Sequence, residues 1–180
     1  MPWRATVRTV IRLVPVTMDL LDAAIAGDDA LARALGHDVT RGWTTFREAL
    51  HATRNELAAS PGGSTWGARL FVSGEPPELI GWGGFKGAPD GGVVEIGYEI
   101  AESRRGRGLA TAAAHAMVAE AWVDEQVTRV IAHTLPERGA SNRVLEKVGF
   151  RYDGDDREDG ELVWRYALVR RPARDERSTG

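Results

Sequence analysis

Apolar and polar positions change period several times along this chain, and each change predicts an element. Residues 7–16 are rich in β-branched side chains and predict a strand. Thr17 then supplies an N-cap, Asp19 sits in the first turn, and Gly27 stops a short helix. A second helix is predicted over 29–35, closed by Gly36. Trp43, Phe46, Leu50 and Leu57 recur at helical spacing and predict a third helix with one apolar stripe, broken by SPGG at 60–63. The period then becomes that of strands. Residues 66–72, 79–85 and 93–100 predict three strands joined by GEPPE and GAPDGG, which is the turn chemistry of an antiparallel meander. A helix over 108–124, a strand over 127–135 and a short helix over 140–147 follow. The segments 150–152 and 162–169 are predicted to pair across the acidic stretch DGDDREDG.

The predicted order is βααα, βββ, αβα, ββ. Its strand–turn–helix–strand section implies a local parallel pair with a crossover, so the whole reads as a mixed α/β sheet. Neither a repeat nor a linker divides it. One domain is expected over residues 1–170, with the charged tail 171–180 frayed.

Composition narrows the function. A chain of 180 residues with 43% hydrophobic and 27% charged residues belongs to the soluble globular class. Net charge −3 gives no reason to expect a nucleic-acid partner. The chain contains no cysteine, which removes disulfides, thiolate–zinc sites and thiol nucleophiles and suits a reducing, cytoplasmic setting. No apolar run approaches the ~20 residues of a membrane span, and the N-terminal stretch reads as no signal peptide. His37, His51, His115 and His133 are dispersed without metal-ligand spacing, so no metal is expected.

The stretch ESRRGRGLAT, residues 102–111, carries the candidate chemistry. A helix N-terminus leaves backbone N–H groups without partners and carries partial positive charge. Gly106 and Gly108 allow a ligand to approach the main chain closely, and the arginines add charge-assisted donors. The combination suits an anion, a pyrophosphate above all. It lacks the lysine of a P-loop, and Thr111 stands where a dinucleotide fingerprint needs its third glycine. On its own the turn reads equally as a helix cap with a solvated arginine rim.

RGRGLA (Arg105, Gly106, Arg107, Gly108, Leu109, Ala110) resembles the Q/R-x-x-G-x-G/A pyrophosphate loop of the GNAT acetyltransferases. EIGYEIAESRRGRGLATAAA is similar to that superfamily's fourth strand, loop and third helix. VIAHTLPERGASNRVLEKVGFRYDG is similar to its fifth strand, fourth helix and the start of its sixth strand. The resemblance covers roughly residues 8 to 169, and the wording is nearest the branch that includes ribosomal-protein N-terminal alanine acetyltransferases. It implies a mixed, mostly antiparallel central sheet flanked by helices, with the fourth and fifth strands parallel and splayed. It also implies acetyl-CoA as cosubstrate and a primary amine as acceptor, either a protein N-terminus or a small molecule. Transfer in such enzymes is direct, without a covalent enzyme intermediate. The oligomeric state stays open, a homodimer included.

The same resemblance assigns roles. Main-chain groups near Tyr98, Glu99 and Ile100 would pair with the pantetheine arm, and the N–H groups from Gly106 through Thr111 would take the pyrophosphate. Glu95 and Glu99 share a strand face and are both candidates for the base, Glu95 being expected to lie deeper and to have its pKa raised by burial. Many relatives carry a tyrosine shortly before the GF that ends the fourth helix; here that position is Leu145. Ser141 either donates to the departing sulfur or caps its helix. Arg138 replaces an asparagine common in the branch, which leaves Asn142 as the expected CoA contact on that helix. His133 reads as a packed or hydrogen-bonded strand residue, and Trp43, Phe46 and Trp82 as core or as walls of the acceptor pocket. The acidic stretch reads as a solvated turn or as an attractor of a cationic amine. The alternative that Leu145 keeps open is a non-catalytic acyl-CoA-binding or regulatory module.

Overall fold

The computed structural model describes residues 10–60 and 65–171. Residues 7–9 of the predicted first strand, most of the SPGG break and nearly all of the charged tail lie outside the described residues. In chain order the elements are β1 (Ile11–Pro15), α1 (Met18–Ala26), α2 (Asp28–Leu35), β2 (Asp38–Val39), α3 (Arg47–Ala59), β3 (Ala68–Ser73), β4 (Glu78–Phe85) and β5 (Val93–Ile100). They continue through a 3-10 turn (Glu102–Arg104), α4 (Leu109–Ala121), β6 (Arg129–Thr134), α5 (Ala140–Val148), β7 (Arg151–Glu158) and β8 (Glu161–Val169). Thr17 caps α1 as expected: its hydroxyl accepts the Leu20 N–H at 3.3 Å.

One sheet runs in the order β1-β3-β4-β5-β6-β8-β7, with β2 paired to β4 off this path. The β3–β4–β5 meander is antiparallel and β5–β6 is parallel. Side chains alternate along β5: Val94, Ile96 and Ile100 enter the core beneath α4 and α5, whereas Glu95, Gly97 and Glu99 take the other face. A second core, built on Leu21, Leu31, Trp43, Leu50, Leu70 and Leu79, sits under α1–α3 on that other face. Among the described residues no helix is long and apolar enough to cross a membrane.

The parallel pair is incomplete. Only Val93–Glu95 and Arg129–Ile131 are in register. Beyond them β5 follows β4 to Ile100, and β6 follows β8 to Thr134. Each is held by its outer antiparallel neighbour, so the two strands part from each other.

Two expectations are corrected. The third apolar stripe does not begin at Trp43. That residue precedes α3, is fully buried against Trp82 edge-on at 5.9 Å, and donates its indole N–H to Asp28 at 3.1 Å. Phe46, just before α3, is 60% exposed. The acidic stretch is not a solvated loop. It is most of β7, joined to β8 by a two-residue turn at Asp159 (φ 51) and Gly160 (φ 86), both left-handed as a hairpin of this length requires. Part of its charge is paired, Asp153 with Arg129 and Arg165, Asp156 with Arg165 and Glu158 with Lys86, whereas Asp155, Asp159 and Glu161 are exposed. β2, two residues long, is too short to leave a periodic signal.

Candidate active site

The gap between β5 and β6 presents main-chain groups. The Gly92 carbonyl accepts from Thr128 and Arg129 on the β6 side, whereas the Glu95 carbonyl accepts from Lys86, and the Ala101 N–H donates to Ile80, on the β4 side. Main-chain groups alternate sides along a strand, so those of Ile96, Tyr98 and Ile100 face the gap and those of Glu99 face β4. The Ile100 carbonyl accepts Nε of Arg105 at 3.3 Å. Ile96 and Tyr98 are left as a strand edge past the last residue paired with β6.

At the end of that edge lies the arginine–glycine turn. Gly106 (φ 73) and Gly108 (φ 75) are left-handed, and a Cβ on either would meet nothing within 4 Å. The buried Leu109 side chain anchors the start of α4. The first internal bond there runs from the Ala112 N–H to the Gly108 carbonyl, so the amides of Leu109, Ala110 and Thr111 have no intrahelical acceptor. The three arginines have different duties. Arg104 is tied to the Glu78 carboxylate, which also accepts the Thr40 hydroxyl at 2.6 Å, and so fixes the turn to β4. Arg105 holds β5, and Arg107 is exposed. Open space, left-handed glycines and unspent amides at one helix end fit a diphosphate.

The face carrying Glu95, Gly97 and Glu99 borders this gap. Both glutamates are half-buried. What separates them is hydrogen bonding, not the depth expected of Glu95. Glu99 accepts from the hydroxyls of Thr44 and Thr45 at 2.6 and 2.7 Å, from the Thr45 N–H at 3.1 Å and from the Trp82 indole at 2.6 Å. Burial alone would raise its pKa, but these donors outweigh burial and hold the carboxyl below the usual range. Both of its oxygens are occupied. Glu95 places only Oε1 in contacts, with Lys86 at 2.7 Å and His133 Nδ1 at 3.0 Å; Oε2 accepts from no described residue. Ligand atoms of Glu95, His133 and Glu158 lie within 4.8 Å of one another, but the Lys86 ammonium bridges the two carboxylates. A protein cation already occupies the space between them.

On the opposite face Tyr98 packs against the α4 core with its hydroxyl buried and unpartnered among the described residues, and burial pushes the phenol well above its ordinary range. Leu145 is fully buried in the same core. Ser141 is exposed one residue into α5 and is not the cap, which is Gly139. Asn142 differs from expectation. It is buried, with Oδ1 accepting the Gly139 N–H at 2.5 Å and Nδ2 donating to Thr134 at 2.9 Å. The geometry gives it a packing role, tying α5 to β6. Sequence reasoning missed Thr44 and Thr45; no motif marks them, because only the fold brings them to Glu99.

Beside Gly97 a cavity of about 620 Å³ opens between α3 and the β4–β5 ribbon. Its wall includes Leu57, Trp66 and Phe85, and its floor Gly83 and Gly97. Trp82 and Lys86 join it to Glu99 and Glu95.

Residues 8–151 match the acetyltransferase (GNAT) domain family. An uncharacterized N-acetyltransferase of Bacillus subtilis (strain 168), YjdG, is 32% identical over 143 residues, covering 78% of this chain and 85% of the relative. Among solved structures, Mycobacterium smegmatis RimJ in complex with CoA-disulfide superposes with TM-score 0.62 at 26% identity, over 93% of this chain and 88% of that one. A putative GnaT-family acetyltransferase from Bordetella pertussis superposes with TM-score 0.64 at 20% identity, over 92% and 98%. The parted strands and the glycine turn thus stand in a fold shared along nearly the whole length, and the chain belongs to the GNAT family of acetyl-CoA-dependent N-acetyltransferases.

Proposed function

We propose that this protein transfers the acetyl group directly to a primary amine, with both substrates bound at once. The observation that carries this reading is the meeting of three features: the open edge at Ile96 and Tyr98, the glycine turn at the head of α4, and Glu95 with a spare carboxylate oxygen. Acetyl-CoA supplies the acetyl group as a thioester. Amides from Gly106 to Thr111 hold its diphosphate, and the Tyr98 main chain aligns the pantetheine arm beside β5. Glu95 takes the proton that the attacking amine sheds, through Oε2 or an intervening water. Lys86 and His133 fix its other oxygen. Glu99 serves differently: it clamps Thr44, Thr45 and Trp82 so that the acceptor wall stays in place. The hydroxyls of Ser141 and Tyr98 are the candidates to donate to the departing sulfur, because Leu145 offers none. The acceptor is a peptide N-terminus or a small-molecule amine.

Thiol release from acetyl-CoA, followed across an amine panel, tests the reading. Release that depends on the amine, and that Glu95→Gln cuts at least tenfold in kcat, is expected. Amine-independent release, or a Glu95→Gln variant at full rate, refutes the assignment.

A further inference from the structure

We infer that the acceptor's amine is attached to one bulky apolar group, which the site prefers over polycationic amines such as aminoglycosides and polyamines. This rests on the amine-acetyltransferase reading and adds the chemical class of the acceptor. The cavity beside Gly97, about 620 Å³, lies in the range of small-ligand pockets. Part of its wall is apolar: Leu57 comes from α3, and Trp66 and Phe85 meet edge to face at 5.0 Å, beside the polar Thr53 and Ser60. Its floor is bare backbone. On β4, a Cβ at Gly83 would stand 2.2 Å from the Gly97 carbonyl, so close strand approach requires glycine there. Gly97 itself is different. It is not left-handed, and a Cβ there would meet only Lys86 Cε at 3.7 Å. Backbone conformation and packing would both admit a side chain at 97, so its absence keeps the floor open beneath a flat or branched group.

The alternative, a polycation, finds little to match it along the apolar part of the wall. Among the described residues, two charged side chains line the cavity, Glu56 and Lys86. Lys86 is already held between Glu95 and Glu158, one ammonium between two carboxylates. Glu99 is saturated by its own donors. Among the described lining residues Glu56, which is exposed, is the one carboxylate. An ammonium group set against Leu57, Trp66 and Phe85 would be desolvated without a partner, which is costly. An apolar group gains from the same wall; burying one large side chain corresponds to roughly 10- to 100-fold in affinity.

The chemistry has two sources, a free arylalkylamine or a peptide whose first residue is large and apolar. Thiol release is therefore measured with ethylamine, 2-phenylethylamine, the peptides Ala-Ala-Ala and Phe-Ala-Ala, spermidine and kanamycin. For 2-phenylethylamine over ethylamine, and for Phe-Ala-Ala over Ala-Ala-Ala, kcat/KM is expected to rise about 10- to 100-fold, with spermidine and kanamycin below both apolar substrates. Which apolar substrate turns over faster tells the free amine from the peptide N-terminus. Gly97→Leu, checked for an unchanged melting profile, is expected to erase the preference while leaving KM for acetyl-CoA within twofold. Gly97→Ala, a smaller filling, serves if the leucine variant misfolds, and is expected to reduce the preference in part. Kanamycin or spermidine matching the apolar amines, or a preference untouched in the folded Gly97 variant, overturns the inference alone. No thiol release with any amine overturns the amine reading beneath it.

Discussion

Replacing Gly108 by alanine isolates the work of the glycine turn, because the fold contains a matched control. Gly108 (φ 75, ψ 3) heads α4, and Gly36 (φ 69, ψ 23) closes α2. Both are left-handed, and a Cβ on either meets nothing within 4 Å. Alanine at either site therefore carries the same backbone penalty, about 1–2 kcal/mol, and no steric one. The difference lies in what the new methyl faces. At Gly108 it enters open space at the turn where the diphosphate is proposed to bind. Displacing a phosphate oxygen from one charge-assisted bond forfeits about 1.5–3 kcal/mol, which is roughly 10- to 150-fold in affinity. Chemical denaturation of both variants should show similar losses of stability. Thiol-release kinetics should show KM for acetyl-CoA raised at least tenfold in Gly108→Ala, KM for the amine within about twofold, and both constants unchanged in Gly36→Ala. If Gly108→Ala raised both KM values equally, or behaved as Gly36→Ala does, the diphosphate would not lie at this turn.

The two glutamates of β5 should separate by parameter. Glu95→Gln lowers kcat at least tenfold with stability little changed, whereas Glu99→Gln sets an amide N–H against the donors of Thr44, Thr45 and Trp82 and shows first as a lower melting temperature. Because Glu99 is held below the usual carboxylate range, its contribution to stability is complete above the unfolded value of about 4.3 and is lost as pH falls through the folded one. Urea midpoints measured from pH 6 to pH 3 should therefore decline below about pH 4.3, and less steeply in Glu99→Gln; parallel curves would refute the clamp. Asn142→Ala leaves the Gly139 N–H unsatisfied beside a buried side chain, so it should cost about 1–3 kcal/mol in denaturation with KM for acetyl-CoA within twofold. A selective rise in that KM would restore Asn142 as a cosubstrate contact.

Strand β5 was legible residue for residue, because Val94, Ile96 and Ile100 alternate with polar or small positions between two turn-forming stretches. The glycine turn was legible for a similar reason: left-handed backbone at a helix start demands glycine, and the demand is written in the residue type. Tertiary bonding was not legible. Nothing local tells that Glu99 is saturated and Glu95 is not, since their donors lie on β4, on the segment before α3 and on β6. Composition misled at 153–161, where a run of carboxylates suggested a solvated loop. Arg165 on β8 and Arg129 on β6 pair Asp153 and Asp156 within a strand, and Asp159–Gly160 carried the true turn signal. Asn142 misled in the same way, because burial decides whether an amide caps a helix or meets a ligand.

The unzipping of β5 from β6 after three residue pairs has a mechanical consequence. It divides an otherwise continuous sheet into two leaves that share a short seam, each with a bare rim turned toward the other. A pantetheine arm lying along Tyr98 would act as a missing strand, and the cosubstrate would then be part of the architecture as well as the chemistry. Saturation with coenzyme A should accordingly slow amide hydrogen exchange at Ile96 and Tyr98 and raise the temperature at which the two leaves come apart.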